Sequence, residues 1–453
     1  MISDLPILTA SEMRAAEQAA ADGGTSLAVL MDRAGEALGR LVLRVASGRA
    51  VHILVGPGNN GGDGYVAARW LAGQGVAASV SALAPPQSDL AKDAAALWMG
   101  SVGGVDAEIV GDAVLVDCLF GTGLNRALGE DAVAFLKRHA EAASRIVAAD
   151  LPSGIDSDSG EVLGCPLKAD ITLAFGALKP AHMLFPAAAH CGEVHVADIG
   201  IACDSDARVA AMPHLDAPDS SSHKYTRGLV AVIAGSMSGA AELAARAAQR
   251  SGAGYVRLIG SSLPPSAPWS LVRQGWRDGE GLSDPRIGAV VIGCGLGSGE
   301  AARAKVDAAL ACGKPLVIDA DALALLPIAP FSVPAILTPH AAEFGRMAPD
   351  ATGSKIAQTR LLAERLGAVV IHKGANTVIA APDGRVAVAP QGSPWLASAG
   401  TGDVLAGVCG AMLARGLDAF DAAQAAVLLH HRAAERAGPG LIADALIEAG
   451  IWP

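Results

Sequence analysis

The sequence predicts an α/β protein of two units, a doubly wound parallel sheet followed by a second α/β unit. Short apolar runs alternate with helical stretches, and several of those runs end on an aspartate before a turn-rich segment. Two glycine-rich segments of different design, Gly58-Asn59-Asn60-Gly61-Gly62-Asp63-Gly64 and Ala399-Gly400-Thr401-Gly402-Asp403, adjoin such elements far apart in the chain. The length of 453 residues accommodates two large α/β units. A composition of 51% hydrophobic residues with 54 glycines excludes a disordered or fibrous chain.

Taken in order, Thr9-Ala10-Ser11-Glu12 carries capping-box spacing and starts a helix near Ser11. Residues 49–56, Arg-Ala-Val-His-Ile-Leu-Val-Gly, read as a buried strand. The first glycine segment then reads as a loop joining that strand to a helix over Gly64–Leu71. Ala113–Asp117 and Arg145–Asp150 read as further strands, and ligands of open parallel sheets collect at such carboxyl ends. Polar and proline-containing residues between Cys203 and Ser222 have the composition of a linker, which sets expected domains at 1–210 and 211–453. Strands resume at Leu229–Ala234, Tyr255–Ile259, Ala289–Ile292, Leu316–Ile318, Ala335–Leu337 and Ala368–Ile371, separated by alanine-rich helices. The halves share an architecture without forming an internal repeat.

The net charge of −11 argues against nucleic acid or an anionic membrane as partner. No apolar run is long enough to span a bilayer, and Met1–Leu5 lacks the features of an export signal, so a cytoplasmic protein is expected. Seven scattered cysteines, with no C-x-x-C pair, read as reduced and mostly buried thiols.

A strand, a glycine turn and a helix aim backbone N–H groups and a positive helix end at whatever lies above them, a setting suited to phosphate. The first segment has neither the G-K-[ST] of a Walker loop nor the G-x-G-x-x-G of a dinucleotide fingerprint. Two later segments complete a set: Asp117-Cys118-Leu119-Phe120-Gly121-Thr122-Gly123-Leu124-Asn125-Arg126-Ala127 and Asp150-Leu151-Pro152-Ser153-Gly154-Ile155-Asp156. Together the three resemble the NAD(P)H-hydrate epimerase family, with its N-N-G-G-D-G loop, its aspartate before G-T-G-L and its D-[IL]-P-S-G segment. That resemblance implies a Rossmann-like three-layer αβα domain. It also implies that Asn59, Asn60, Gly61, Gly62 and Asp63, with Gly121 to Ala127, bind the hydrated dinucleotide, and that Asp150 meets the damaged ring. Asn60, Asp117 and Ser153 would hold potassium, for which oxygen ligands are suited. A loop-anchoring role is the plainer alternative for Asp117 and Ser153. Epimerisation needs a proton-exchanging group beside the ring, and Asp150 is the candidate.

The second glycine segment precedes an apolar helix, Val404–Leu413. Amides at its start could stabilise a phosphoryl group while Asp403 takes the proton of an accepting hydroxyl; an N-cap aspartate is the alternative. His372-Lys373-Gly374-Ala375-Asn376-Thr377, Thr338-Pro339-His340-Ala341-Ala342-Glu343 and Gly293-Cys294-Gly295-Leu296-Gly297 support the first reading. These segments resemble ribokinase-like enzymes, in particular the NAD(P)H-hydrate dehydratase branch. By that likeness Lys373, Gly374, Ala375, Asn376, Thr377 and Gly402 bind nucleotide, while Ala240, Gly297, His340 and Asp403 line the hydrate pocket. Glu343 would organise magnesium through water. Asp319 and Asp321 read as helix caps. Two departures stand out: Cys294 replaces the family's proline, and His223-Lys224-Tyr225 replaces its H-K-G.

The resemblance implies a bifunctional isomerase and lyase acting on NADHX and NADPHX, with ADP as co-substrate, K+ in the first site and Mg2+ in the second, and a homo-oligomer. A vitamin or sugar kinase fused to a non-catalytic nucleotide-binding module is the alternative, and a first half reduced to a binding module is another.

Overall fold

A computed structural model describes residues 3–107, 111–263 and 268–452, so Met1 and Ile2 of the opening segment lie outside it. Contacts divide the chain into two compact units, Met1–Ala207 and Arg208–Pro453. No described helix is long and apolar enough to cross a membrane. Cys118, Cys191, Cys294 and Cys409 are buried, Cys165 is exposed, and all seven cysteines are free.

The first unit holds β1 (Val51–Val55), β2 (Ala78–Ala82), β3 (Val102–Gly103), β4 (Val114–Cys118), β5 (Arg145–Ala149), β6 (Ile171–Phe175) and β7 (Glu193–Ala197). They pair in parallel in the order β3-β2-β1-β4-β5-β6-β7. The strand order therefore reverses between β1 and β4, and the crevice at such a switch point is where open sheets bind ligands. β1 and β4 are buried along their whole length, as expected of central parallel strands. The predicted capping box is formed: Thr9 N donates to Glu12 Oε2 at 2.7 Å, at the start of the helix Ala10–Asp22.

The first glycine segment differs from its expected loop. Asn59–Gly73 is one helix with Gly58 as its N-cap, so most of the segment is helical. Its glycines are there because the backbone has close neighbours. A Cβ on Gly61 would fall 2.0 Å from the Gly56 carbonyl oxygen, and one on Gly62 would fall 2.7 Å from the Met31 thioether. Gly61→Ala is expected to destabilise the first unit by about 3 kcal/mol, at the upper end of overpacking costs because the obstacle is backbone. Urea unfolding of the variant checks this, and an unchanged midpoint would contradict it.

In the second unit, β8 (Ala207–Val209) is followed by β9 (Leu229–Ile233), β10 (Tyr255–Gly260), β11 (Val272–Gly275), β12 (Ile287–Ile292) and β13 (Leu316–Ile318). Next come β14 (Ala335–Leu337), β15 (Val369–His372), β16 (Val378–Ala380) and β17 (Val386–Val388). The sheet order is β11-β10-β9-β12-β13-β14-β15-β16-β17-β8, parallel from β11 to β15 and antiparallel through β16 and β17. Here the reversal falls between β9 and β12. The stretch read as a linker contributes β8 to the sheet edge, because Ala207, Val209 and Ala210 are apolar enough to be buried within otherwise polar surroundings. The apolar helix Thr401–Ala414 packs against the helix Ser238–Arg250 so closely that a Cβ on Gly407 would lie 2.0 Å from the Ala244 carbonyl oxygen.

Several histidines sit neutral inside the protein. Burial pulls His430 and His372 down to about 3 and His431 down to about 4. Unfolded histidines take up protons below pH 6.5 and these do not, so their contribution is complete above that pH and declines as pH falls towards 4. For the fully buried His430 the loss reaches ~2 kcal/mol at pH 5. The urea midpoint of the second unit should fall between pH 7 and 5, and a flat midpoint would contradict the burial of these rings.

Candidate active sites

Four strand ends of the first unit meet at one cavity of about 660 Å³. Its walls include Asn59, Asn60 and Asp63 from the helix after β1, Gly121 to Arg126 after β4, and Asp150 and Lys179 after β5 and β6. Met13, Arg14 and Glu17 of the first helix complete it. Asp150 has φ +62°, a left-handed conformation that side chains other than glycine's rarely adopt and that clusters at functional sites. Its backbone N–H donates to Leu173 O at 2.8 Å. The Phe175 N–H donates to its Oδ1 at 3.2 Å, and the buried Lys179 ammonium makes a short ion pair with the same oxygen. Burial, reinforced by the charge of Asp150, lifts the Asp63 carboxyl well above the usual range. Burial likewise raises Glu17.

Behind the cavity, Asp117 is completely buried. It accepts from Ser153 Oγ at 2.7 Å, from Ser153 N at 2.8 Å and from Leu119 N at 3.2 Å. These are neutral donors, and burial raises the Asp117 pKa in spite of them. Ser153 Oγ also accepts from Phe120 N at 2.9 Å, so the pair ties the loops after β4 and β5 together. The buried Asn60 side-chain nitrogen has no protein partner.

In the second unit the helix Thr401–Ala414 starts from Gly400, whose φ of +87° makes the sharp entry that glycine allows. His430 Nε2 lies 2.9 Å from Thr401 O and braces that helix start; its neutral ring donates there. Asp403 lies in the first turn. Burial pushes its pKa up to about 6 against the Cys294 thiol that hydrogen-bonds it, while Asp319 adds to the rise. The Cys294 sulfur and carboxylate oxygens of Asp319 and Asp403 lie within 4.8 Å of one another. Burial keeps Cys294 a protonated thiol. Lys373 Nζ donates to Asp319 Oδ1 at 2.8 Å, and although burial disfavours its charge, Asp319 raises its pKa.

The other predicted residues of this unit are each held by local contacts. Lys373–Thr377 makes the turn from β15 into β16, gripped by the Lys355 ammonium on Asn376 O at 2.5 Å and Lys373 O at 3.2 Å. Gly297 N donates to Asp321 Oδ2 at 2.8 Å, and Ala240 sits beside Gly295 of the same glycine loop. His340 caps the helix Ala341–Met347: its Nδ1 accepts from Ala342 N and Glu343 N, and Glu343 Oε2 accepts from His340 N at 2.8 Å. Glu343 Oε1 has only a 3.4 Å approach to His340 Nε2.

Some expectations need correction. Asp319 makes no cap hydrogen bond; Thr338 Oγ1 at 2.6 Å and Lys373 hold its carboxylate inside the site. Asp321 is used on Gly297 N. A D-A-D-A-L run resembles a helix start because nothing local announces a lysine 54 residues on. Gly61, Gly62 and Ala127 do not line the first cavity, whereas Lys179, Glu17 and Arg14 do and were missed. Lys179 sits in Ala177-Leu178-Lys179-Pro180, where a lysine before proline reads as an ordinary turn residue.

Fold and sites together define a two-domain α/β enzyme with one site at the carboxyl edge of each sheet. Residues 230–443 match the family model described as NAD(P)H-hydrate dehydratase, and residues 27–181 match the YjeF-related protein N-terminus. The bifunctional NAD(P)H-hydrate repair enzyme Nnr of Mycobacterium leprae is 38% identical over 91% of this chain and 90% of its own length. That of Escherichia coli is 33% identical over 94% and 88%. Among solved structures, a Bacillus subtilis ADP/ATP-dependent NAD(P)H-hydrate dehydratase co-crystallised with ATP/Mg2+ is 34% identical, with a TM-score of 0.47, over 52% of this chain and 91% of that one. The chain belongs to the family of bifunctional NAD(P)H-hydrate repair enzymes. It is a bifunctional enzyme, with an NAD(P)H-hydrate epimerase domain followed by an NAD(P)H-hydrate dehydratase domain.

Proposed function

We propose that the first site interconverts the R and S hydrates of NADH and NADPH, and that the second dehydrates the S form with ADP, releasing AMP and phosphate. One observation carries this reading: at the carboxyl ends of each sheet an aspartate stands among the loops the sequence singles out, Asp150 in the wall of the first cavity and Asp403 in the first turn of the helix Thr401–Ala414, against Cys294 and Asp319.

In the first site, Asn59, Asp63 and Gly121 to Arg126 bind the dinucleotide, with Gly61, Gly62 and Ala127 shaping the wall behind them. Asp150 takes the proton of the ring hydroxyl; the carbon–nitrogen bond opens to an aldehyde as the nitrogen gains a proton. Closure on the opposite face, with both protons returned, gives the other isomer. Asp117 is a buried carboxylate met only by neutral donors, and the buried Asn60 side-chain nitrogen has no protein partner, so the amide can turn its oxygen there without losing a hydrogen bond. With Ser153 Oγ these would supply the oxygen ligands that suit a hard monovalent cation. Potassium held there by Asn60, Asp117 and Ser153 would supply positive charge to the site.

In the second site, Lys373, Gly374, Ala375, Asn376, Thr377 and Gly402 bind the nucleotide, and Ala240, Gly297 and His340 flank the hydrate. Asp403 removes the proton from the ring hydroxyl as the phosphoryl group transfers to it. Expulsion of phosphate by the ring nitrogen's electron pair, with loss of the neighbouring C–H proton, restores the reduced ring. Glu343, whose Oε1 has only a 3.4 Å approach to His340 Nε2, would hold magnesium through water, and the ion would neutralise phosphate charge.

Asp403 must be ionised to act as base, so the kcat of dehydration should fall as pH drops through about 6. A pH–kcat profile flat from 7 to 5 would contradict that role. The whole reading is tested with S hydrate and ADP, which should yield reduced cofactor, AMP and phosphate in equal amounts. Cofactor released without AMP would refute the use of ADP.

A further inference from the structure

Lys179 is the one fully buried lysine side chain of the first site that the mechanism above leaves without a role. It stands on the turn after β6, 1% exposed, and reaches the cavity wall. Its ammonium donates to Asp150 Oδ1 and, at 2.8 Å, to Phe175 O, while the Phe175 N–H reaches the same Asp150 oxygen. One Asp150 oxygen is thus saturated. The other, Oδ2, would stand 3.4 Å from a Cβ at Gly121, on the side where Gly121 lines the cavity and carries no side chain.

The backbone of Asp150 is held by the same turn. His182 Nδ1 accepts from Lys179 N at 2.8 Å, which leaves Nε2–H to donate to Asp150 O at 2.6 Å. Burial, aided by the Lys179 charge, drops His182 to about 4, so the ring is neutral and this tautomer is maintained. The left-handed Asp150 backbone, its carbonyl and one of its carboxylate oxygens are therefore all fixed by residues 173–182.

We propose that Lys179 is a positioning residue of the epimerase: it pins Oδ1 of Asp150 so that Oδ2 is the atom presented to the hydrated ring. This rests on the reading of Asp150 as the proton-exchanging group. A residue that acts through another lowers turnover without weakening substrate binding.

The test uses the full chain, the R hydrate as substrate, and subtraction of the spontaneous rate. Lys179→Met should lower the kcat of R-to-S conversion about 100-fold with KM within threefold, while dehydration of S hydrate by the same preparation is unchanged. Lys179→Arg, which keeps the cation, should recover at least a tenth of the wild-type kcat. A K179M kcat within threefold of wild type, or a loss expressed wholly in KM, would overturn the proposal. Should K179M not fold, Asp150→Asn/Lys179→Met leaves no unpaired charge and is compared with Asp150→Asn at raised enzyme concentration. Equal rates support action through Asp150, and a further tenfold drop refutes it. An Asp150→Asn variant with wild-type turnover would instead sink the underlying reading of Asp150.

Discussion

Asp150→Asn is expected to lower enzymatic interconversion of the R and S hydrates by about 1,000-fold, within the range a positioned acid–base group contributes. The amide keeps the shape of the carboxylate but cannot take up the hydroxyl proton. It also leaves the Lys179 ammonium buried without its counter-charge, so some loss of stability accompanies the loss of turnover. Thermal unfolding followed beside activity separates the two. Dehydration of S hydrate is expected to survive, because Asp403 and its neighbours belong to the other unit. The hydrates also interconvert slowly on their own, so only the rate above that background counts. Retention of the parent rate above background would remove Asp150 from the chemistry.

Asp403→Asn should have the reciprocal effect, a fall of between about 100- and 10,000-fold in the kcat of dehydration, with interconversion of the isomers intact. The local surroundings support a functional carboxylate over a capping one: its pKa is already raised to about 6, and Lys373 and Asp319 lie alongside. The asparagine variant should lose the acid limb of the pH profile together with its activity. A variant that still forms reduced cofactor from S hydrate and ADP at a tenth of the parent rate would contradict the assignment.

Much of this arrangement is written in short sequence segments, for a physical reason. A central parallel strand is an uninterrupted apolar run, and the residues at its carboxyl end are the ones a sheet delivers to its ligand, so Asp117 and Asp150 are visible as strand-end aspartates from local pattern, while the roles given to them and to Asn60 come from the family resemblance. Residues whose roles come from long-range partners were not legible. Asp319 looks like a cap until Lys373 is brought against it, and Lys179 looks like a turn lysine until β6 is laid beside β5. The Asn59–Gly64 segment was misjudged because glycine signals freedom of backbone conformation as readily as the absence of a side chain. Here the absence matters, since Gly61 faces the Gly56 carbonyl inside a regular helix. β8 escaped notice because three residues of an edge strand leave little periodicity among the aspartates and prolines around them.

The two units are joined, in this account, by what happens to one substrate. The most direct measurement supplies the full-length protein with ADP and the R hydrate alone, and follows the absorbance of the reduced cofactor. Formation of NADH or NADPH far faster than the spontaneous conversion of R to S, with AMP appearing in step and the rate collapsing in either Asp150→Asn or Asp403→Asn, is the predicted result. Reduced cofactor appearing only at the spontaneous rate, with S hydrate still consumed quickly, would show that the first unit does not epimerise and would contradict the account.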